Sequence, residues 1–237
     1  MFMLTVQNRD VERVVAHCAA LPNLATAQLG MEYFYTGLPL CLIDTVFSRG
    51  VRYEGTKRVI QRYCDYWSLQ QKWGERDELP PRDAQQSVAA FVQDVERVGV
   101  ETYTNKVFIN RQRTSAKNGI LKAEASYHFG TALLAHGANY LQDVSALAAN
   151  TAFQQAVRAI PGQKNALSYF FILCGLHDFV SPGRWVVGFV EQSVGRPVRL
   201  DDAQRLVTLA CAELKHHYPH LTPALLDHCI WLREREL

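Results

Sequence analysis

The strongest constraint on the fold is the segment Ile160-Pro161-Gly162-Gln163-Lys164-Asn165-Ala166, which interrupts an otherwise helical pattern. Pro161 lacks a backbone donor and Gly162 tolerates positive φ, so together they stop one helix. The apolar run from Ala166 to Cys174 then starts another. Two helices separated by so few residues form a very tight helix–turn–helix. The first amides of the second helix have no partner within it and point outward, ready for an anion.

Helical periodicity dominates the remainder, and convincing strands are scarce. Val11, Val14, Val15 and Cys18 form one apolar stripe, and Val59, Ile60, Tyr63 and Trp67 another. Leu42, Ile43, Val46 and Phe47 lie on a short helix so apolar that it should be buried. Asp83 is placed to cap a helix carrying Val88, Phe91, Val92 and Val95. Further helices are expected over 119–136, 143–150, 151–159, 182–194 (with Pro182 near its start), 201–217 and 223–235. Asp201 and Asp202 favour the positive end of their helix. Breakers gather at 74–81, which reads as a surface excursion, and at 195–197. The reading is an all-α fold of roughly ten helices. The whole chain, 1–237, forms one unit of two lobes with a cleft between them. A middle lobe spans 85–165, and the two chain ends, 1–84 and 166–237, form the other.

A chain that is 48% hydrophobic and 20% charged can bury a real core. No window approaches the roughly 18 apolar residues of a membrane span. Met1 to Asp10 lacks a basic region followed by an apolar run, so no secretory signal is expected and a cytoplasmic protein follows. The six cysteines are scattered without metal or cluster spacing and read as small buried hydrophobes. His216, His217, His220, Cys211 and His228 invite a zinc reading. Adjacent histidines diverge on a helix, however, and a histidine at a helix C-terminus is explained by the dipole. Asp201-Asp202 and Glu234/Glu236 are close acidic pairs that helix-end solvation explains. No metal and no cofactor are expected.

The net charge of +2 carries no nucleic-acid signature. Local patterning carries more. Lys106, Arg111, Arg113, Lys117 and Lys122 fall in a stretch without an acid, and Arg49, Arg52, Lys57, Arg58 and Arg62 form a second cluster around Glu54. Each is either a solvated basic face or part of a surface for a phosphate backbone.

Together, the hairpin and the segment Cys41-Leu42-Ile43-Asp44-Thr45-Val46-Phe47-Ser48-Arg49-Gly50 resemble the helix-hairpin-helix DNA glycosylases of the endonuclease III-like superfamily. The resemblance spans roughly Gly37 to Trp231 and implies a two-lobed, helix-hairpin-helix glycosylase-like fold. It implies that Gly162, Gln163, Lys164 and Asn165 hold a DNA phosphate and that the loop from Arg49 to Val51 is a wedge at the flipped base. Laid without gaps on the family, Asp44 falls where the adenine-mismatch branch has its catalytic glutamate. A carboxylate among Leu42, Ile43, Val46 and Phe47 is expensive to bury, and burial raises its pKa, as suits an acid that protonates a leaving base. The bland alternative is an Asp44 satisfied by a helix end or an arginine.

The chain departs from the family twice. The lysine that marks bifunctional members falls on Ala166, and the catalytic aspartate falls on Gly183 or within a residue of it. Asp178 is the nearest acid and a second candidate catalyst. The resemblance therefore implies a monofunctional enzyme, acting as a monomer on double-stranded DNA. It flips a damaged or modified base and hydrolyses the N-glycosidic bond, leaving an abasic site. Arg49, Arg52 and Tyr53 would fill the gap in the duplex. Tyr33, Tyr35, Tyr53 and Trp185 would line the base pocket, with Phe34 beside them, though Tyr33, Phe34 and Tyr35 read first as ordinary core. Asn110 would orient a water or bind a base edge, and Arg111, Arg113 and Arg184 would bind the strand. Repair is the default role, and a bulky modified base in invading phage DNA also suits a displaced acid. The alternative is a non-catalytic DNA-binding protein on the same scaffold.

Overall fold

The computed structural model describes residues 7–75, 78–181 and 183–235 and the backbone of Glu236. The helices are α1 (Asn8–Ala19), α2 (Leu38–Phe47), α3 (Tyr53–Trp67), α4 (Val88–Val98), α5 (Val100–Thr102), α6 (Lys122–Ala135), α7 (Thr151–Ala159), α8 (Leu167–Leu173), α9 (Arg184–Val194), α10 (Leu200–Leu214) and α11 (Pro223–Glu236). The fold is all-helical. Extended pairing among the described residues is limited to isolated bridges, Tyr35 with Lys72 and Arg113 with Leu121. No helix among these residues is long and apolar enough to cross a membrane. Pro182, the residues before Gln7 and the Glu236 side chain lie outside the described part, so the expectations placed on them go no further.

Packing divides the chain into two compact units, Met31–Gly175 and Met1–Gly30 with Leu176–Leu237. The expected middle lobe, 85–165, falls wholly within the first unit, where residues 31–84 and 166–175 pack with it.

The centre of the first unit is α2, whose ten residues are all buried. Its sequence is apolar around the whole circumference, so it gains only if every face is covered. Helices α3, α4, α6 and α8 pack against it. Pro39, in the first turn, needs no amide partner there. Aromatic rings pack in this unit: Phe47, at the end of α2, meets Phe108 edge-on at 4.9 Å, and Phe129 of α6 lies 4.8 Å from Phe170 of α8. Cys41 donates its thiol to the Leu173 carbonyl of α8 at 3.2 Å, a use in keeping with a small buried core residue.

The expected cap at Asp83 is corrected. Asp83 lies in a separate short turn, Arg82–Ala84, and the Ser87 hydroxyl caps α4 by accepting from the Ala90 amide at 3.1 Å. Ser87 directly precedes the first helical residue with extended backbone, the geometry a cap requires. The helix expected over 143–150 is not α: residues 143–147 belong to a 3₁₀ segment, Leu141–Leu147. The Asp143 carboxylate accepts from the Asn139 and Tyr140 amides at 2.9 Å each.

The second unit packs α1, α9, α10 and α11 together. His17 of α1 stacks on Phe189 of α9 with centroids 4.2 Å apart, and Arg13 donates to the Val194 carbonyl at 2.9 Å. His220 hydrogen-bonds the Leu24 carbonyl at 3.0 Å, so it serves the packing of the N-terminal segment.

The hairpin between α7 and α8 forms as a tight turn. The Gln163 amide donates to the Ile160 carbonyl at 3.0 Å, and the Ala166 amide to the Gln163 carbonyl at 3.0 Å. Gly162 sits at φ +81°, and a Cβ placed there would lie 2.6 Å from Cβ of Thr114. Both the backbone angle and the close approach demand glycine. We expect Gly162→Ala to destabilise the protein by about 1–3 kcal/mol in urea denaturation, through strain and the displacement of Thr114.

Candidate functional site

Asp44 lies at the end of the second turn of α2 and has no exposed surface. Its two carboxylate oxygens accept three tyrosine hydroxyls. Tyr35 donates to Oδ2 at 2.7 Å, Tyr53 to Oδ2 at 3.2 Å, and Tyr169 to Oδ1 at 3.3 Å. Each tyrosine comes from a different piece of chain. Tyr35 precedes α2, Tyr53 opens α3, and Tyr169 lies in the first turn of α8, just past the hairpin. The Asp44 side chain is thus tied to phenols, and neither a helix end nor an arginine supplies its partners here.

The fourth component is Lys72. Residues 34–36 and 71–73 run as a short antiparallel pair, with the Thr36 amide donating to the Gln71 carbonyl at 3.3 Å and the Trp73 amide to the Phe34 carbonyl at 3.0 Å. The pair places Lys72 Nζ 3.2 Å from the centroid of the Tyr35 ring, and Nζ also donates to the Glu32 carbonyl at 2.7 Å. The chain just before the breaker-rich 74–81 stretch is therefore part of the site.

The electrostatics follow from burial. Desolvation pushes Asp44 up to about 6, against the three hydroxyl donors and Lys72, which favour the anion. Desolvation pulls Lys72 down to about 8, against Asp44, Cys41 and Glu32. Burial and the neighbouring carboxylate push the Tyr35 and Tyr169 hydroxyls well above the usual phenol range, so both remain donors. All of Asp44's identified partners donate, so the arrangement is built around the ionised carboxylate.

Beyond Phe47 the chain enters the proposed wedge loop. Lys122, expected in a basic DNA-binding cluster, is instead buried. Its Nζ donates to the Phe47 and Arg49 carbonyls at 2.9 Å each, satisfying the C-terminal end of α2 and pinning the loop. Burial, with Arg49 nearby, lowers it to about 8. Arg49 is half-buried and Arg52 exposed. Arg62 is also committed internally, to the Phe108 and Ile109 carbonyls at 3.0 and 3.1 Å.

The structure sorts the other expected site residues. Lys164, Asn165 and Gly162 are exposed on the hairpin, whereas Gln163 is 1% exposed. That corrects its placement: a side chain buried in this way cannot meet a phosphate. Arg111 and Arg113 are exposed, the former donating to Asn105 at 2.5 Å and the latter to the Gly119 carbonyl at 2.8 Å. Asn110 is half-buried and accepts from the Gln112 amide at 2.8 Å. Tyr33 is half-buried. Tyr35 is buried, with Lys72 over its ring, so it serves the carboxylate and offers no open face to a base. Asp178, Arg184 and Trp185 belong to the other unit, where Asp178 is exposed and the Arg184 guanidinium stacks over Trp185 at 4.3 Å. Gly183 precedes α9 with extended backbone and offers no side chain where the family's aspartate would fall.

Sequence reasoning missed Lys72 and Tyr169. Tyr169 had a signal: it lies one turn into the hairpin helix. Lys72 had none, because only the pairing with Tyr35 brings it in. Also unforeseen is Asp227 in α11, a carboxylate that accepts from the Ser181 amide at 3.1 Å and that burial pushes up to about 7. Its folded-state value exceeds the ordinary 3.8, so its stabilising contribution is complete below about pH 4 and is lost as pH rises through about 7. Asp227→Asn keeps the acceptor. We expect it to remove about 1.4 kcal/mol of stability loss per pH unit between pH 5 and 7, read as a diverging difference from wild type in urea denaturation.

The chain matches the family described as a domain of unknown function, DUF8548, over residues 12–235. No curated protein and no solved structure matches it.

Proposed function

The chain belongs to the DUF8548 family, and we propose that this member is a monofunctional DNA glycosylase. It would flip a damaged or modified base out of double-stranded DNA and hydrolyse its N-glycosidic bond. The observation that carries the reading is Asp44: a fully buried carboxylate, one turn from a basic loop, that accepts three tyrosine hydroxyls and lies close to the Lys72 ammonium.

Cleaving the N-glycosidic bond builds positive charge on the sugar and negative charge on the departing base. A preorganised carboxylate in a dry site opposes the sugar's charge without reorganising as it develops. Burial pushes Asp44 up to about 6, still below pH 7, so the ionised form prevails there. Its identified partners donate to it, which suits the carboxylate role better than proton delivery. Asp178, exposed on its loop, lacks the enclosure that would favour it as the catalyst. Ala166 stands at the lysine position, so hydrolysis should stop at the abasic site without strand cleavage. The exposed Lys164 and Asn165 would take the phosphate backbone, in a monomer acting in the cytoplasm on damaged bases or on modified bases of phage DNA.

A second reading, a DNA-binding protein without catalysis, is favoured by Gly183 alone. Alkali-revealed nicking of DNAs carrying damaged or phage-type modified bases separates the two. On the glycosylase reading wild type and Asp178→Asn nick, and Asp44→Asn binds DNA but falls by at least about a hundredfold. Circular dichroism must show it folded. Activity should also decline as pH drops through about 6, where a proton captures the carboxylate. Equal inactivity of wild type on all these substrates would leave only the binding reading. Lys164→Glu tests the hairpin separately: DNA affinity should weaken with a shallower salt dependence, and unchanged binding at several salt concentrations would remove the hairpin from the interface.

A further inference from the structure

We propose that Lys72 is a positioning residue that keeps Asp44 ionised by polarising the Tyr35 hydroxyl between them. The inference deepens the glycosylase reading and rests on it for its catalytic meaning, though not for its test.

The geometry is a three-member relay. The Lys72 ammonium lies 3.2 Å from the centre of the Tyr35 ring, and the hydroxyl of that ring donates to Asp44 Oδ2 at 2.7 Å, the shortest of the three phenol contacts. A cation over a phenol face draws electron density from the ring and makes its O–H a stronger donor. The cation also attracts the carboxylate directly through a desolvated interior. The bridge between Tyr35 and Lys72 and the flanking amide bonds fix the stack, and the Glu32 carbonyl anchors Nζ.

The surroundings leave Lys72 as the cation acting on this carboxylate. From α3 the carboxylate meets Tyr53, and from α8 Tyr169. From α6, Lys122 turns to the Phe47 and Arg49 carbonyls. From α4, Asp94 and Arg97 pair with each other, and Asp94 also takes Tyr66 and Tyr103. Lys72 itself faces Glu32, Cys41 and Cys64 as well as Asp44.

The test follows the Asp44 carboxyl carbon by NMR in ¹³C-aspartate-labelled protein across pH 4 to 9. Lys72→Met should move the Asp44 midpoint upward by about one unit, and Lys72→Arg should restore most of it. In a Tyr35→Phe background the same Lys72→Met change should shift the midpoint by clearly less, because the relay is already cut. An unmoved midpoint in Lys72→Met overturns the inference. Equal shifts in both backgrounds overturn the relay through Tyr35. If wild type excises a base, the acidic limb of its pH–rate profile should move with the NMR midpoint in Lys72→Met. Titration that behaves as expected in a protein inactive on every DNA refutes the catalytic reading and leaves the relay standing.

Discussion

The first unit is organised around one unfavourable act, the burial of the Asp44 carboxylate inside an apolar helix. An isolated ionised carboxylate in such a place is expensive enough to neutralise itself. Here three phenols and one ammonium reduce that expense, and each must arrive from a distant part of the sequence. The segment before α2 brings Tyr35, the first turn of α3 brings Tyr53, α8 brings Tyr169, and the extended pair brings Lys72. The packing of four segments around α2 is therefore also the assembly of the anion's solvation shell.

This ties the hairpin to Asp44. The tight turn at Gly162 ends α7 and starts α8, and within one turn α8 delivers Tyr169 to Asp44. The turn in turn rests on Thr114, whose backbone and side chain crowd the α-hydrogen of Gly162. The exposed turn and the buried acid thus share one short connection. At the far end of α2, Lys122 takes the last carbonyls and fixes the loop that carries Arg49.

Much of this was legible in the chain, and the failures have physical causes. Helix positions followed the apolar spacing closely, as at 151–159, where prediction and structure coincide. Asp83 and Ser87 both precede α4 and both are residue types that cap helices, and sequence alone does not say which has extended backbone at the junction. Lys122 reads as surface charge because lysine usually is; its burial depends on a helix end finding it across the fold. Gln163 reads as a phosphate contact because the turn is exposed, yet in so tight a turn successive side chains point to opposite sides.

By itself the sequence determined that the chain is helical, that α2 must be enclosed and that Asp44 would be enclosed with it. Those are consequences of spacing and hydrophobicity along one segment. It also dictated the turn at Pro161 and Gly162, since one lacks a backbone donor and the other tolerates positive φ. Only the tertiary structure decided what surrounds the acid. Tyr35, Tyr53, Lys72 and Tyr169 share no periodicity, and their meeting depends on long-range packing, which leaves no local mark in the order of residues.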